Sequence, residues 1–167
     1  MSELSSLFGP FICEGLLEPA LEGVNSRERV FSFRSTFWAF LSQALSPQTS
    51  CREVVRKVQS FCSHRGLSVP GSSDAAYCQA RRRLPQQRLK QIHQHVGEQL
   101  CGRVEQGWLW QGHRVRVVDG TGIRLADTAS NQAAFPQPAQ QRPGCGFPVM
   151  QVVACLCLHT GALIDSV

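Results

Sequence analysis

Asp119 is the acidic residue of this sequence that best fits metal chemistry. It follows Val115 and Val117 at two-residue spacing, which predicts a strand carrying all three side chains on one face. A carboxylate held on a strand is a suitable oxygen ligand for Mg²⁺, and two such ions about 4 Å apart assist phosphoryl transfer on DNA. Gly120 is expected to form a bulge or a point of close approach. The pattern alone favours a simpler role for Asp119, as a strand end or an Asp-Gly turn.

Two further acids of the C-terminal part are poor partners for Asp119. Asp127 lies eight residues on, which is roughly 26 Å along an extended strand, and is better explained as the start of an Asx turn. Asp165 falls on the third predicted strand, about 10 Å from the first. Neither acid is expected to share an ion with Asp119.

Positive charge is concentrated in the middle of the chain. The net charge is +5, but residues 27–116 alone carry +10, and fifteen of the seventeen basic residues are arginine. This distribution favours contact with a polyanion, although GC-rich codon usage would also raise the arginine content. The candidate DNA-binding residues are Arg81, Arg82, Arg83 and Lys90. Three consecutive helical residues fan over about 200°, so at most two of the arginines can face one groove, and a solvated run of charge is the alternative.

The eight cysteines give no metal signal. No pair has the C-x-x-C spacing of a zinc site, and the acidic first 26 residues lack the basic start of a secretory signal. Most of the thiols are therefore expected to be small buried apolar groups in a reduced protein.

The periodicity of apolar residues predicts helices followed by strands, that is, an α+β fold. Apolar residues at three- and four-residue spacing predict a helix from Arg27 to Leu45 and another that opens with the capping box Ser50–Glu53 and stops at Gly66. Two more helices are predicted around residues 76–80 and from Pro85 to about Leu100. Strands are predicted at 114–126, 149–158 and 162–167, with a long loop at 128–148 and a hairpin turn at Thr160-Gly161.

The predicted domains are 1–106, helical and basic, and 107–167, a sheet. The strand at 149–158 is apolar almost throughout, which predicts burial on both faces. Because no helix is predicted after the third strand, one face of the sheet is expected to stay uncovered, as in an incomplete domain.

Three stretches of the sequence match a known family. They are residues 38–53 (Trp-Ala-Phe-Leu-Ser-Gln-Ala-Leu-Ser, then Ser-Cys-Arg-Glu), residues 76–85 (Ala-Tyr-Cys-Gln-Ala-Arg-Arg-Arg-Leu-Pro) and the motifs between Val117 and Ala162. The last set comprises Val-Val-Asp-Gly-Thr, Asp127-Thr128, Asn131-Gln132, Phe135-Pro-Gln-Pro138, Gly144, Gly146-Phe-Pro148 and Thr160-Gly-Ala162. In this order, from about residue 31 to 167, the chain resembles DDE-type transposases of the insertion-sequence-four type.

The resemblance implies a helical domain that binds transposon ends, followed by an RNase H-like catalytic domain. Asp119 matches the first acid of the DDE triad, a ligand of Mg²⁺ or Mn²⁺, whereas the family's second Asp and its Glu lie beyond residue 167. One departure is Gly122, where the family usually has a second Thr. The expected function is metal-dependent DNA cleavage and strand transfer, with this chain representing the first three strands of an incomplete catalytic domain and inactive alone.

The resemblance also sets the expected setting of the protein. The partner is double-stranded DNA at transposon ends, a homodimer of the full-length protein is one assembly that the family allows, and the location is the bacterial cytoplasm at the nucleoid. No membrane partner is expected, since no run of 18 apolar residues occurs. The alternative function is a non-catalytic DNA-binding protein that occupies transposon ends.

Overall fold

The computed structural model describes residues 2–18, 30–46, 48–142 and 144–167. Most of the helices precede a three-stranded antiparallel sheet, and one short helix lies between its first two strands, which confirms the α+β prediction. The helices are α1 (Ser2–Phe8), α2 (Phe33–Ala44), α3 (Cys51–His64), α4 (Ala75–Arg82), α5 (Gln86–Gly102) and α6 (Ala129–Ala134), with 3-10 turns at Gly9–Phe11, Glu14–Leu17 and Gln106–Trp108. The strands are β1 (Arg116–Arg124), β2 (Val149–Cys157) and β3 (Leu163–Ser166).

The chain forms two compact units, residues 1–95 and residues 96–167. The division falls within α5, eleven residues before the boundary predicted at 106/107. A backbone contact explains why the end of α5 groups with the sheet: a Cβ at Gly97 would lie 2.8 Å from the carbonyl oxygen of Leu163 and 3.1 Å from the Cα of Ile164. Only glycine lets the helix backbone come this close to β3.

The core of the first unit lies between α2, α3 and α4. Burial of these side chains removes apolar surface from water and is the main force holding the three helices together. Phe31, Cys51 and Phe61 pack against the buried set from its edge. The buried residues are Ala39, Val54, Val55, Val58, Cys62 and Tyr77.

Local capping decides where α2 and α3 begin. The hydroxyl of Ser32 accepts a hydrogen bond from the amide of Ser35, so α2 starts at Phe33 and the predicted start at Arg27 is wrong for residues 30–32; residues 27–29 lie outside the described residues. In α3 the predicted cap is confirmed, since Ser50 Oγ accepts from the amide of Glu53 at 3.2 Å.

The predicted stop of α3 at Gly66 is also confirmed. Gly66 has φ +64°, and the amide of Leu67 donates to the carbonyl of Cys62 while the amide of Gly66 donates to Ser63. These two bonds form a Schellman motif, which needs a left-handed residue at this position.

The sheet is a meander in the order β1-β2-β3. Pairing of β1 with β2 is continuous from Arg116 opposite Cys157 to Arg124 opposite Val149. The strand therefore passes through Gly120 without the expected bulge, and the register of the sheet shifts instead between Cys155 and Leu156, where β2 pairs with β3.

The prediction that β2 is buried on both faces is wrong. Val153 is 43% exposed, and on the neighbouring strand Val118 is 66% exposed. Every residue of β1 is exposed, whereas Cys157 at the end of β2 is buried. An apolar run in the sequence indicates that a strand can be buried. It does not show that another helix or sheet packs over each face of that strand.

The segment predicted as a long loop, residues 128–148, is held by glutamine side chains. It contains the short helix α6, which is capped by Thr128 accepting from the amide of Asn131 at 3.2 Å. Gln137 Nε2 donates to the carbonyls of Gln141 and Arg142, and its Oε1 accepts from the amides of Gly144 and Gly146. The Gln137 side chain thus supplies hydrogen-bond partners for backbone groups of Gln141, Arg142, Gly144 and Gly146.

The described residues contain no helix that is long and apolar enough to cross a membrane.

Candidate functional site

Asp119 lies at the centre of β1, the exposed edge strand of the sheet. Its Oδ1 accepts a hydrogen bond from the amide of Gly120 at 2.9 Å, which is the one hydrogen bond the carboxylate makes to described residues. The other oxygen faces solvent on an exposed residue. The simpler role, an Asp-Gly turn, does not hold because the strand continues through Gly120 to Arg124.

The strand register decides which side chains share a face with Asp119. Ala154 pairs with Asp119 and Ser166 pairs with Ala154, so these three residues form one row across the sheet. Directly opposed residues of antiparallel strands project from the same face. Ser166 is therefore the polar residue in line with Asp119, about 10 Å away across two strand spacings.

The register also separates Asp165 from Asp119. Asp165 pairs with Cys155, which pairs with Val118, so its row alternates with that of Asp119 and projects from the other face. Its Oδ1 accepts from the amide of Ser166 at 2.9 Å. The expectation that these two acids do not share an ion thus has a second reason, opposite orientation.

The Asp127 side chain is hydrogen bonded within the segment held by glutamines and lies apart from Asp119, the sequence-predicted metal ligand. Its Oδ1 accepts from Gln132 Nε2 at 2.9 Å, and Gln132 Nε2 also donates to the carbonyl of Gly146. The expected Asx turn at Asp127 is replaced by the cap at Thr128. Asp127 also borders an open cleft of about 480 Å³ lined by glutamines, whose amides largely serve the loop itself.

At Asp119 the described residues offer a single carboxylate as a possible metal ligand. Among them no three His, Cys, Asp or Glu side chains come together. Magnesium requires near-octahedral oxygen coordination and is usually held by more than one carboxylate or by substrate phosphates as well. The described part of the chain therefore does not complete such a site.

Arg81 is tied to the helical core. One of its guanidinium nitrogens donates to Gln43 Oε1 at 3.1 Å and to Cys51 Sγ at 3.8 Å, and Gln43 Oε1 also accepts from the Tyr77 hydroxyl at 2.8 Å. Gln43 Nε2 in turn donates to the carbonyl of Thr49 at 3.0 Å. Arg81 therefore joins α4 to α2 and α3, although its side chain stays exposed.

The remaining candidate basic residues differ in their burial and in their hydrogen bonds to the rest of the protein. Arg83 is half-buried and its Nε donates to the carbonyl of Gln79 at 3.2 Å, which satisfies the end of α4. Arg82 is exposed, and its guanidinium makes no hydrogen bond or ion pair to the residues that the structure describes. Lys90 is half-buried on α5. Of the arginine run, Arg82 is the side chain most available to a phosphate.

Sequence reasoning missed two exposed arginines on α3. Arg52 and Arg56 are four residues apart, so they lie on one face of the helix, and both are exposed. Lys57, beside them, is paired with Glu53 at 3.9 Å. The signal was present as i, i+4 spacing, but two arginines so spaced are less conspicuous in a sequence than the adjacent triplet at 81–83.

Compared with known proteins, the chain matches no family model, no curated protein and no solved structure.

Proposed function

We propose that the chain is the N-terminal part of a DDE-type transposase of the insertion-sequence-four type, acting on transposon ends in double-stranded DNA. The observation that carries the proposal is the position of Asp119. It stands at mid-strand on the exposed first strand of a β1-β2-β3 meander, with one carboxylate oxygen free of partners among the described residues. That position matches the first acid of the triad in the family that the motifs resemble.

The sheet is proposed to be the beginning of an RNase H-like domain. A strand fixes a carboxylate more rigidly than a loop does, and an exposed β1 leaves room for DNA phosphates beside it. When bound, Mg²⁺ or Mn²⁺ would neutralise charge on the phosphate that is cleaved. The contribution of this chain is to hold the Asp119 carboxylate, oriented by the amide of Gly120.

The helical unit is proposed to bind the DNA backbone. Arg52, Arg56 and Arg82 are exposed, and arginine pairs with phosphate through a planar fork of donors. Arg81 and Arg83 are proposed to support the surface instead, because their nitrogens already serve Gln43 and Gln79. This division refines the prediction that at most two of the three arginines at 81–83 face one groove of DNA.

The experiment is a binding titration of the 167-residue chain on duplex DNA taken from the regions flanking its gene, where transposon ends lie. A scrambled duplex of the same composition is the comparison. Tighter binding to one flanking duplex, with affinity falling steeply as salt rises, is the expected result. Equal affinity for both duplexes at every salt concentration would contradict recognition of transposon ends.

Arginine substitutions test which side chains contact the DNA phosphates. Arg52→Gln with Arg56→Gln, and separately Arg82→Gln, are each expected to weaken binding and to lower the slope of log affinity against log salt by about 0.9 for each phosphate that is no longer neutralised. Arg124→Gln is the matched control for Arg82→Gln, because each removes one positive charge, here from the sheet, where Arg124 lies over the ring of Phe147. An equal weakening of binding by Arg124→Gln would indicate a general charge effect.

The alternative, a non-catalytic protein that occupies transposon ends, is favoured by the charge of +10 in residues 27–116. The same DNA separates the two functions. The 167-residue chain is expected to bind without nicking, since it supplies one suitable carboxylate. If the longer reading frame adds an Asp and a Glu, nicking with Mn²⁺ that Asp119→Asn abolishes supports the transposase, and binding without nicking supports the alternative.

A further inference from the structure

Two cysteines of the second unit meet where α5 approaches the sheet. Cys101 lies in the last turn of α5, and Cys157 ends β2. The Cys157 side chain is 2% exposed and the Cys101 side chain is half-buried, and the two thiols are hydrogen bonded to each other. Gly97, one turn earlier on α5, is in backbone contact with β3, so the helix that carries Cys101 is held against the strands.

The turn after β2 surrounds the Cys157 sulfur with donors. The amides of His159 and Thr160, the Thr160 hydroxyl and the Cys101 thiol all hydrogen bond to it. The turn is itself fixed by the amide of Gly161 donating to the Cys157 carbonyl at 2.8 Å, with Gly161 at φ +67°. A sulfur inside such a set of donors is held as a thiolate in the way an oxyanion is held.

The pKa values of the two thiols are shifted in opposite directions. Burial opposes ionisation of Cys157 and is the largest effect, but the hydrogen bonds from Thr160, His159 and Cys101 together lower its pKa to about 6. Burial and the neighbouring Cys157 raise the pKa of Cys101, against smaller effects of Thr160 and Arg116. Arg116 also stands opposite Cys157 in the strand register.

We propose that Cys157 and Cys101 form a peroxide-sensitive dithiol, in which Cys157 is the sulfur that is oxidised first and Cys101 resolves it to a disulfide. The two thiols are already hydrogen bonded to each other, and the close approach of Gly97 to β3 holds α5 beside the sheet, so the sulfurs are neighbours before oxidation. Hydrogen peroxide is the class of oxidant that fits, since a molecule of this size can reach a buried sulfur where a bulky disulfide cannot.

The reaction balances in two steps. The Cys157 thiolate attacks one oxygen of hydrogen peroxide, the O–O bond breaks, and hydroxide leaves and takes up the proton that Cys157 had lost. The Cys101 sulfur then attacks the sulfenic acid at Cys157, its proton leaves with the hydroxyl group as water, and the S–S bond forms. One peroxide is reduced to two waters and two thiols are oxidised to one disulfide.

A second thiol pair serves as an internal comparison. Cys51 and Cys78 are also hydrogen bonded, but burial, that hydrogen bond and the charge of Cys51 raise the pKa of Cys78. Cys51 Sγ accepts from Gln43 Nε2 at 3.7 Å and from Arg81 at 3.8 Å. No set of turn amides surrounds either sulfur of this pair in the described residues, so it is expected to oxidise later.

The test treats the reduced full chain with one equivalent of hydrogen peroxide, blocks free thiols and maps the peptides by mass spectrometry. The expected product links the peptides of Cys101 and Cys157 with the loss of two hydrogens. It should form about ten-fold or more faster than oxidation of the exposed Cys145, because the hydrogen bonds to the Cys157 sulfur favour the thiolate, which is the reactive form of cysteine. The rate at Cys157 should reach half its maximum near pH 6. Prior oxidation of Cys145, or absence of the 101–157 link, would overturn the proposal.

Variants separate the two roles. Cys101→Ser is expected to leave a sulfenic acid at Cys157 that dimedone traps, and Cys78→Ser, which removes a thiol from the other pair, is expected to leave the 101–157 link unchanged. Folding of each variant is checked by circular dichroism, and the mapping of the unsubstituted chain decides the matter even if Cys101→Ser does not fold. A dimedone adduct at Cys101 but not at Cys157 in the unsubstituted chain would reverse the assigned roles.

Discussion

Gln43 and Tyr77 form a pair whose energetic coupling can be worked out from the structure. Tyr77 is fully buried, and its hydroxyl donates to Gln43 Oε1 at 2.8 Å. That oxygen also accepts from Arg81 at 3.1 Å. Removing one side of this bond therefore differs in cost from removing the other.

Tyr77→Phe deletes the donor and leaves Gln43 Oε1 with its bond from Arg81. We expect a decrease of about 0.5–1.5 kcal/mol in the free energy of unfolding, the net value of one hydrogen bond. Gln43→Ala instead leaves the Tyr77 hydroxyl buried without an acceptor and the carbonyl of Thr49 without its donor. This change is expected to cost about 1–3 kcal/mol or more.

The double variant tests the reasoning. In the Tyr77→Phe background there is no buried hydroxyl to strand, so Gln43→Ala should cost about 1 kcal/mol less than it does alone. The assay is urea unfolding followed by fluorescence of Trp38, which is 6% exposed, in a chain where Trp108 and Trp110 are replaced by phenylalanine. Gln79→Ala, on an exposed position of α4, is the control and should stay within about 0.5 kcal/mol of the unsubstituted chain. Additive decreases, within about 0.3–0.5 kcal/mol, would refute the coupling.

Two other predictions concern titration and the loop. Burial, opposed by the charge of Arg81, raises the pKa of Tyr77 from 10.0 to about 12. The protonated phenol thus contributes stability below pH 10 that is lost as the pH rises from about 10 to 12, of order 2–3 kcal/mol; because Tyr77 is the only tyrosine, its phenolate absorbance reports this directly, and a midpoint at 10 would contradict it. Gln137→Ala removes four side-chain hydrogen bonds and should lower the free energy of local opening by about 1–2 kcal/mol. Hydrogen exchange at Gly144 and Gly146 should then speed up while β2 is unchanged, whereas Gln140→Ala, an exposed neighbour, should change neither.

Features that depend on adjacent residues were predictable from the sequence. The cap at Ser50, the stop at Gly66 and the turn at Thr160-Gly161 each involve residues a few positions apart, so the chain itself contains the whole interaction. The presence of three strands followed from the apolar runs, and the antiparallel pairing of the last two from the short turn between them.

Features that depend on distant residues were not predictable. Gln43 meets Arg81 across 38 positions, and this hydrogen bond ties Arg81 to the helical core, whereas Arg82 stays without a partner among the described residues. Cys101 and Cys157 meet through the close approach of α5 to β3, which no cysteine spacing reveals. In each case the sequence contains several residues of the same type, three arginines in the run 81–83 or eight cysteines. A contact with a residue distant in sequence then gives one of them a different environment.

Asp119 combines both kinds of information. The alternation with Val115 and Val117 placed it on a strand, but that strand could equally have ended at Gly120. Only the continuous pairing through Arg124 shows that the carboxylate stands at mid-strand, and only the register on β3 shows that Ser166, and not Asp165, shares its face. If Asp119 holds a metal ion as proposed, a second acid must therefore lie over the face that carries Ala154 and Ser166, whether that acid stands on the sheet or on another element.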